Sequence, residues 1–344
     1  MKNVLPLGES PIITFLYDAN PLSILSAHGD TYFEWLISNY IQLNANKDII
    51  KAKSVFLEFY GPQAWESPFL YKQIILRSTF VESGLKIHDF IKFYIDQGYY
   101  IYCEADDYYI PDRLPYQNLH LVHDMFVYGY DDIERVYYIL GYNNKFTYAQ
   151  STCSYTTFEK AFYSESMNDV VNTWADNIRL LKYKPYQYKF NMKLVKHLLS
   201  EYLSGQNSYE TYNRFDEPRC DRVYGIEVYD KVLQHLTLVE ENNKSDNKKK
   251  DIYLDNHIFR LLMEHKKLMM MRMEFINNRF VDISNLINAY KQVEQIASKS
   301  HGIAIKYWSN ESLVYIEKLK QNITLIKKLE CNILKDLLEK LDSF

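Results

Sequence analysis

The sequence predicts an α+β protein: helices and an antiparallel sheet fill residues 1–168, and a mainly α-helical region fills 169–344. Three observations carry this expectation. Apolar runs with period two cluster between residues 99 and 142; Gly, Asp and Asn punctuate them; and beyond about residue 170 the apolar spacing changes to three and four. At 344 residues the chain exceeds what one hydrophobic core usually serves, and 47% apolar residues supply material for two.

Thr31 stands as a cap before TYFEWLISNYIQLN, where Phe33, Leu36, Tyr40 and Leu43 recur at spacings of three and four, so the first long helix is expected there. Residues 51–59 and 99–105 read as strands, and IHDFIKFYIDQG (87–98) reads as a helix closed by Gly98. DMFVYGYDD and RVYYILGY are apolar runs split by Asp131, Asp132, Ile133 and Glu134, the pattern of a hairpin. TTFEKAF (156–162) supplies a short helix capped by Thr156 or Thr157. NMKLVKHLLSEYLSG, ending on Gly205, and YGIEVYDKVLQHL (224–236) have helical period, while EENNKSDNKKKD (240–251) has no apolar anchor and reads as a mobile loop. Three long helices are expected at 253–280, 282–301 and 309–342. In the last, Ile316, Leu319, Ile323, Ile326, Ile333, Leu337 and Leu341 repeat at close to 3.5 residues; this suits bundle packing within the chain, with a homodimer seam as the alternative.

Composition removes several function classes. A net charge of −4 without a dominant basic patch argues against a nucleic acid partner. Pro6, Glu9, Pro11 and Asp18 interrupt the N-terminal stretch where a signal peptide needs an unbroken apolar run, and no window of about 18 apolar residues occurs, so no membrane partner and a cytoplasmic location are expected. Cysteines 103, 153, 220 and 331 are widely spaced with no CxxC pair, so they read as free thiols and no metal site is expected. Glycine-rich phosphate loops and a GxSxG elbow are missing, and no cofactor is expected. The 32 tyrosines fit nucleotide bias as well as an aromatic cleft.

Candidate chemistry concentrates in HLVHDMFVYGYDD (120–132). Alternation from His123 places Met125, Val127 and Gly129 on its face and Asp124, Phe126, Tyr128 and Tyr130 on the other. A histidine entering a core strand can have its ring fixed by packing and present one nitrogen to a cleft as a general base; the plainer reading is a histidine capping a sheet edge. His120 and His123 make a poor metal pair, because residues three apart on a strand face opposite ways.

The stretch IYCEADDYYIPDRLPYQNLHLVHDMFVYGYDDIERVYYILGYN resembles the N-terminal domain of the butirosin-biosynthesis protein H family, bacterial proteins found with aminoglycoside and nonribosomal peptide pathways. An acidic residue, a YYxP element, a His-containing segment and a GYDD hairpin occur in that order. PLSIL, WLISNYIQL and RLLMEHKKLMMMRMEFI are also similar, so the resemblance covers most of the chain. It implies a papain-like cysteine-peptidase fold put to acyl transfer or amide chemistry in secondary-metabolite assembly, with an acyl or peptidyl carrier protein or a small molecule as partner. It maps the base onto His123, the strand acid onto Asp106 and the hairpin acids onto Asp131 and Asp132.

Papain-like chemistry needs a thiol at the start of the first long helix, where the dipole and a nearby imidazole favour thiolate. At the expected helix start stand His28, Gly29, Asp30, Thr31 and Tyr32, with no cysteine. Asp30 and Thr31 are therefore expected to form the catalytic corner with His123, and Cys103 reads as a core thiol. Asn143 is the expected orienter of the imidazole, with Ser26 or backbone amides available as oxyanion donors. Tyr108 and His120 join Asp106 and Asp131 as expected substrate contacts. On the helical side Glu264 and His265, in a row with His257 and Arg260, read as a substrate-facing or carrier-facing surface, or more plainly as a solvated polar face. Two functions follow: an acyl- or peptidyl-transfer protein, or a catalytically degenerate fold that binds a metabolite or synthetase partner.

Overall fold

A computed structural model describes residues 1–208, 221–245, 247, 249 and 252–343. In chain order the strands are Lys2–Val4 (β1), Leu43–Asn46 (β2), Glu58–Phe59 (β3), Leu70–Ile75 (β4), Tyr100–Asp106 (β5), Val122–Asp131 (β6), Val136–Tyr142 (β7), Tyr148–Ser154 (β8), Ile178–Tyr183 (β9) and Arg222–Tyr224 (β10). The helices begin with Leu16–Ser26 (α1), Phe33–Asn39 (α2), Ile49–Ala52 (α3), Arg77–Glu82 (α4), Ile87–Asp96 (α5), Tyr155–Phe162 (α6) and Met192–Ser204 (α7). The chain forms two compact units, residues 1–32 with 63–187 and residues 33–62 with 188–344. This differs from the expected division near residue 168, because β2 pairs with β3 on one side and β10 on the other and so carries residues 33–62 into the second unit.

The first unit is a mixed structure built on an antiparallel sheet ordered β4-β9-β5-β6-β7-β8, with β1 added to the far end of β6. On one face Ile87, Ile91 and Ile95 of α5 and Phe158, Ala161 and Phe162 of α6 pack onto Ile101, Cys103, Met125, Val127 and Ile139. Each isoleucine enclosed there is worth about 1.5–3 kcal/mol relative to exposure. The other face receives α1, where the Tyr148 hydroxyl lies 2.9 Å from Asn20 Oδ1 and 3.1 Å from Ser23 Oγ. A register shift between Val127 and Gly129 moves Tyr130 onto the same face as Met125 and Val127, contrary to simple alternation from His123. Gly129 is required beside it: a Cβ there would stand 2.8 Å from the Asn3 carbonyl oxygen of β1.

The expected first long helix is a correction. Residues 30–32 make one short turn, α2 stops at Asn39, and Leu43 already lies in β2. The longer helix is α1, which the sequence conceals: nine of its eleven residues are buried, including Asp18, Asn20 and Ser23, so no polar face marks a helical period, and Pro21 sits inside it. Residues 51–59 are also mostly not strand; only Glu58 and Phe59 pair.

The second unit is mainly helical, with helices Val228–Lys244, Asn256–Arg279, Ser284–Asn310 and Leu313–Asp342 beside α2, α3 and α7. All seven apolar positions expected in the last helix are buried. Part of the segment expected to be a mobile loop, residues 240–244, is helical; residues 246, 248, 250 and 251 lie outside the described residues, as does Cys220. Arg272, fully buried, closes the end of α2: its Nε donates to the Ile37 carbonyl at 2.6 Å and its Nη2 to the Tyr40 carbonyl at 2.7 Å. Among the described residues no helix is long and apolar enough to cross a membrane.

Candidate functional site

The most organised polar constellation of the first unit is made where β5 ends. Asp106 closes the strand opposite Val122, and the chain returns through residues 107–121, so antiparallel pairing itself brings His120 back to Asp106. His120 Nδ1 lies 2.6 Å from Asp106 Oδ2. The same oxygen accepts the hydroxyls of Ser164 at 2.6 Å and Ser166 at 2.7 Å, and Oδ1 accepts the backbone amides of Tyr108 at 3.1 Å and Leu121 at 3.2 Å. Burial alone would raise the Asp106 carboxyl, but the serine hydroxyls and His120 hold it down to about 2. The carboxylate is thus charged, fully enclosed and bonded on both oxygens.

An ionised Asp106 makes Nδ1 the protonated nitrogen of His120 and leaves the Nε2 lone pair available. The ring stacks on Tyr108 at 4.1 Å between centroids, with its planes 18° apart, and its side chain is 52% exposed. No hydrogen bond of the described residues engages Nε2. The arrangement is an oriented, half-exposed imidazole with one nitrogen tied to a buried anion and the other free of hydrogen bonds among the described residues, a geometry compatible with a general base.

His123, the expected base, belongs to a second and different pair. Its Nδ1 lies 3.2 Å from Asp107 Oδ2, and Asp107 in turn stands 3.9 Å from Arg113 Nε. Burial opposes the charge on His123, but Asp107 and Asp124 outweigh it and raise the imidazole pKa. Arg113 also donates to the Tyr142 carbonyl and presses on Gly141, where a Cβ would meet its two terminal nitrogens at 2.6 Å. Successive aspartates at the end of β5 therefore hold the two histidines separately.

The other sequence-derived residues fall elsewhere. Asp30 and Thr31 are exposed on the short 30–32 turn, and no hydrogen bond or ion pair joins them to His123. The start of the first helix of any length is instead Leu16, Tyr17 and Asp18, again without a cysteine. Asn143 does not orient an imidazole: its Oδ1 accepts the amides of Lys145 and Thr147 and builds the β7–β8 turn. Asp131 likewise serves the β6–β7 turn, accepting the amides of Ile133 and Glu134, while Asp132 pairs with Lys92 at 2.7 Å. Tyr108, expected as a substrate contact, stacks on His120.

Glu264 and His265 are buried in the second unit and form no surface. His265 Nε2 donates to the Ile41 carbonyl at 2.7 Å, its Nδ1 accepts from Lys266 Nζ at 2.8 Å, and burial drives its pKa down to about 3. Lys266 meets both oxygens of Glu330 at 2.8 Å, and the hydroxyls of Tyr202, Tyr229 and Tyr290 complete the carboxylate. A methionine-rich helix hides this ion pair from a reading based on period, since nothing in the sequence distinguishes an inward from an outward polar row there.

Three cysteines are described, and burial disfavours the thiolate form of each. Burial raises Cys103 strongly, pushes Cys153 up to about 12, and raises Cys331. No group of three or more His, Cys, Asp or Glu side chains among the described residues is arranged to hold a metal ion. The sequence reading missed Asp107, Arg113, Ser164 and Ser166. The Asp106–Asp107 doublet at a strand end was the available signal for the first of these; the serines join from residues 58 and 60 positions away, and no local pattern announces them. In comparisons with known proteins, no family model and no curated protein matches the chain.

Proposed function

We propose that the protein is an acyl- or peptidyl-transfer protein, amide-forming or amide-handling, of bacterial nonribosomal peptide or related secondary-metabolite assembly, and that His120 is its general base. The observation that carries the reading is the Asp106–His120 pair. A buried, fully bonded carboxylate fixes the tautomer and plane of a half-exposed imidazole, which is what proton abstraction from an incoming nucleophile requires. The resemblance to the butirosin-biosynthesis protein H family supports the acyl chemistry and the natural-product setting, and a papain-like ancestry would account for the antiparallel sheet that carries the β5–β6 site.

Without a reactive thiol at the helix start, transfer is direct. The nitrogen lone pair of an amine acceptor forms the C–N bond at a thioester carbonyl, the C–S bond breaks, and the sulfur leaves as thiolate. The proton lost by nitrogen passes to His120 Nε2 and then to the sulfur, so no acyl-enzyme forms.

A second reading rests on the same missing thiol: a catalytically degenerate fold that binds a metabolite or synthetase partner. Incubating the chain with an acyl N-acetylcysteamine thioester and a primary amine, with amide detected by mass spectrometry, separates the two. Amide above the uncatalysed rate with no mass added to the protein supports direct transfer; binding with no amide supports the degenerate reading; a protein-bound acyl group contradicts both.

A further inference from the structure

Toward the middle of the same sheet, two residues before Asp106, lies a second acidic pair that the general-base reading does not use. Glu104 on β5 and Asp124 on β6 are direct cross-strand partners, a placement in which like charges oppose each other. Glu104 is fully buried. Its Oε1 lies 3.1 Å from Arg179 Nη1, and its Oε2 is enclosed without any hydrogen-bond partner. Asp124 is partly exposed and accepts the Tyr102 hydroxyl at 2.5 Å through Oδ1 alone. Trp65, also partly exposed, covers Arg179, with 4.2 Å from guanidinium to ring centroid.

The pair therefore joins a buried carboxyl to a partly exposed one. A buried carboxylate oxygen without a donor is costly, and the single arginine serves only one of the four acidic oxygens. The cost is visible in Glu104 itself, whose carboxyl burial and the neighbouring Asp124 raise to about 8 against the pull of Arg179. What the constellation lacks is a second cation bearing N–H donors, small enough to enter beside Asp124 and reach Oε2.

We propose that Glu104 and Asp124 form a binding site for a protonated primary amine, its ammonium donating to both carboxylates and its carbon chain lying along Trp65. The site does not rest on the acyl-transfer reading, since amine binding here needs neither His120 nor turnover. A quaternary ammonium has no N–H donor and is excluded by the same argument, whereas a simple counter-ion effect would not discriminate.

The test is an amide-shift NMR titration of the full chain with n-butylammonium chloride, with tetramethylammonium chloride and sodium chloride at matched ionic strength as controls. The expected result is saturable shifts at residues 102–105 and 123–125 with n-butylammonium alone, with binding weakened at least about tenfold in Glu104→Gln and in Asp124→Asn, the loss of one charge-assisted hydrogen bond in each. Glu104→Gln replaces the acidic group at constant shape and decides the matter if Asp124→Asn fails to fold. Absence of saturable shifts in the unaltered chain, equal response to tetramethylammonium, or undiminished binding in Glu104→Gln overturns the proposal.

Discussion

His120 stands 2.6 Å from Asp106, whereas His123, three residues further on, stands 3.2 Å from Asp107. The difference is one of support as well as distance. Asp106 is bonded by two serines and two backbone amides besides the imidazole, while the Asp107 pair is shared with Arg113. A base needs a fixed partner, and this is why the proposed general base is His120 of the first pair.

Removing the charge of Asp106 should be expensive. In Asp106→Asn the amide nitrogen must face donors now served by oxygen, leaving buried hydroxyls without acceptors. The expected loss is about 3 kcal/mol in a urea unfolding curve. A loss below about 0.5 kcal/mol, the size of an ordinary surface change, would mean that the five hydrogen bonds do not hold the site together.

Two carboxyls should give opposite pH signatures. Asp106 is depressed in the folded chain, so its contribution to stability is complete above the ordinary aspartate value and is lost as pH falls from near 4 toward about 2. Glu104 is raised to about 8, so its contribution is complete below the ordinary glutamate value and is lost as pH rises through about 8. Thermal melts of Glu104→Gln should therefore match the unaltered chain at pH 4 and exceed it at pH 9. A Gln variant less stable at the higher pH would reverse the sign assigned here.

In the second unit Lys266 and Glu330 are both fully buried and complete one another. Lys266→Met leaves the carboxylate without its cation and should cost about 3–5 kcal/mol. Lys266→Met with Glu330→Gln keeps an acceptor for the three tyrosine hydroxyls without a stranded charge and should recover a large part of that. A double-mutant cycle by chemical denaturation should show coupling of at least about 1 kcal/mol, and strict additivity would show the two residues to be independent.

Burial should make Cys103 and Cys153 inert. Their pKa values are raised, Cys153 to about 12, so thiolate is scarce at neutral pH. Alkylation by iodoacetamide followed by peptide mapping should leave both unmodified in the folded chain and modify them in urea. Rapid labelling of either in the native state would mark an accessible thiol and reopen the question of a nucleophile.

Much of the architecture was legible because period and punctuation agree along long segments. IHDFIKFYIDQG gave α5 with Gly98 at positive φ, the Asp131–Glu134 interruption gave the β6–β7 turn, and the isoleucine-leucine repeat gave the terminal helix. Where burial surrounds an element the signal fails: α1 has polar and apolar residues enclosed alike, and its proline argues locally against it. The site was half legible. His120, Asp106 and Tyr108 were expected as substrate contacts, while the resemblance put the base at His123; the proposed base is instead His120, which lies just beyond the end of the ladder where alternation no longer describes the chain. The serines that fix Asp106 come from the far side of α6, and only the folded chain brings them in.

The most direct test of the central claim is the ratio of kcat/KM for His120→Ala to that for His123→Ala, measured on one acyl thioester and one amine acceptor. General-base catalysis is worth about 10²–10⁴ in rate, so His120→Ala should lose at least about a hundredfold while His123→Ala keeps activity within about tenfold of the unaltered chain. Full activity in His120→Ala, or a larger loss at His123, would contradict the assignment of the Asp106–His120 pair as the reacting centre.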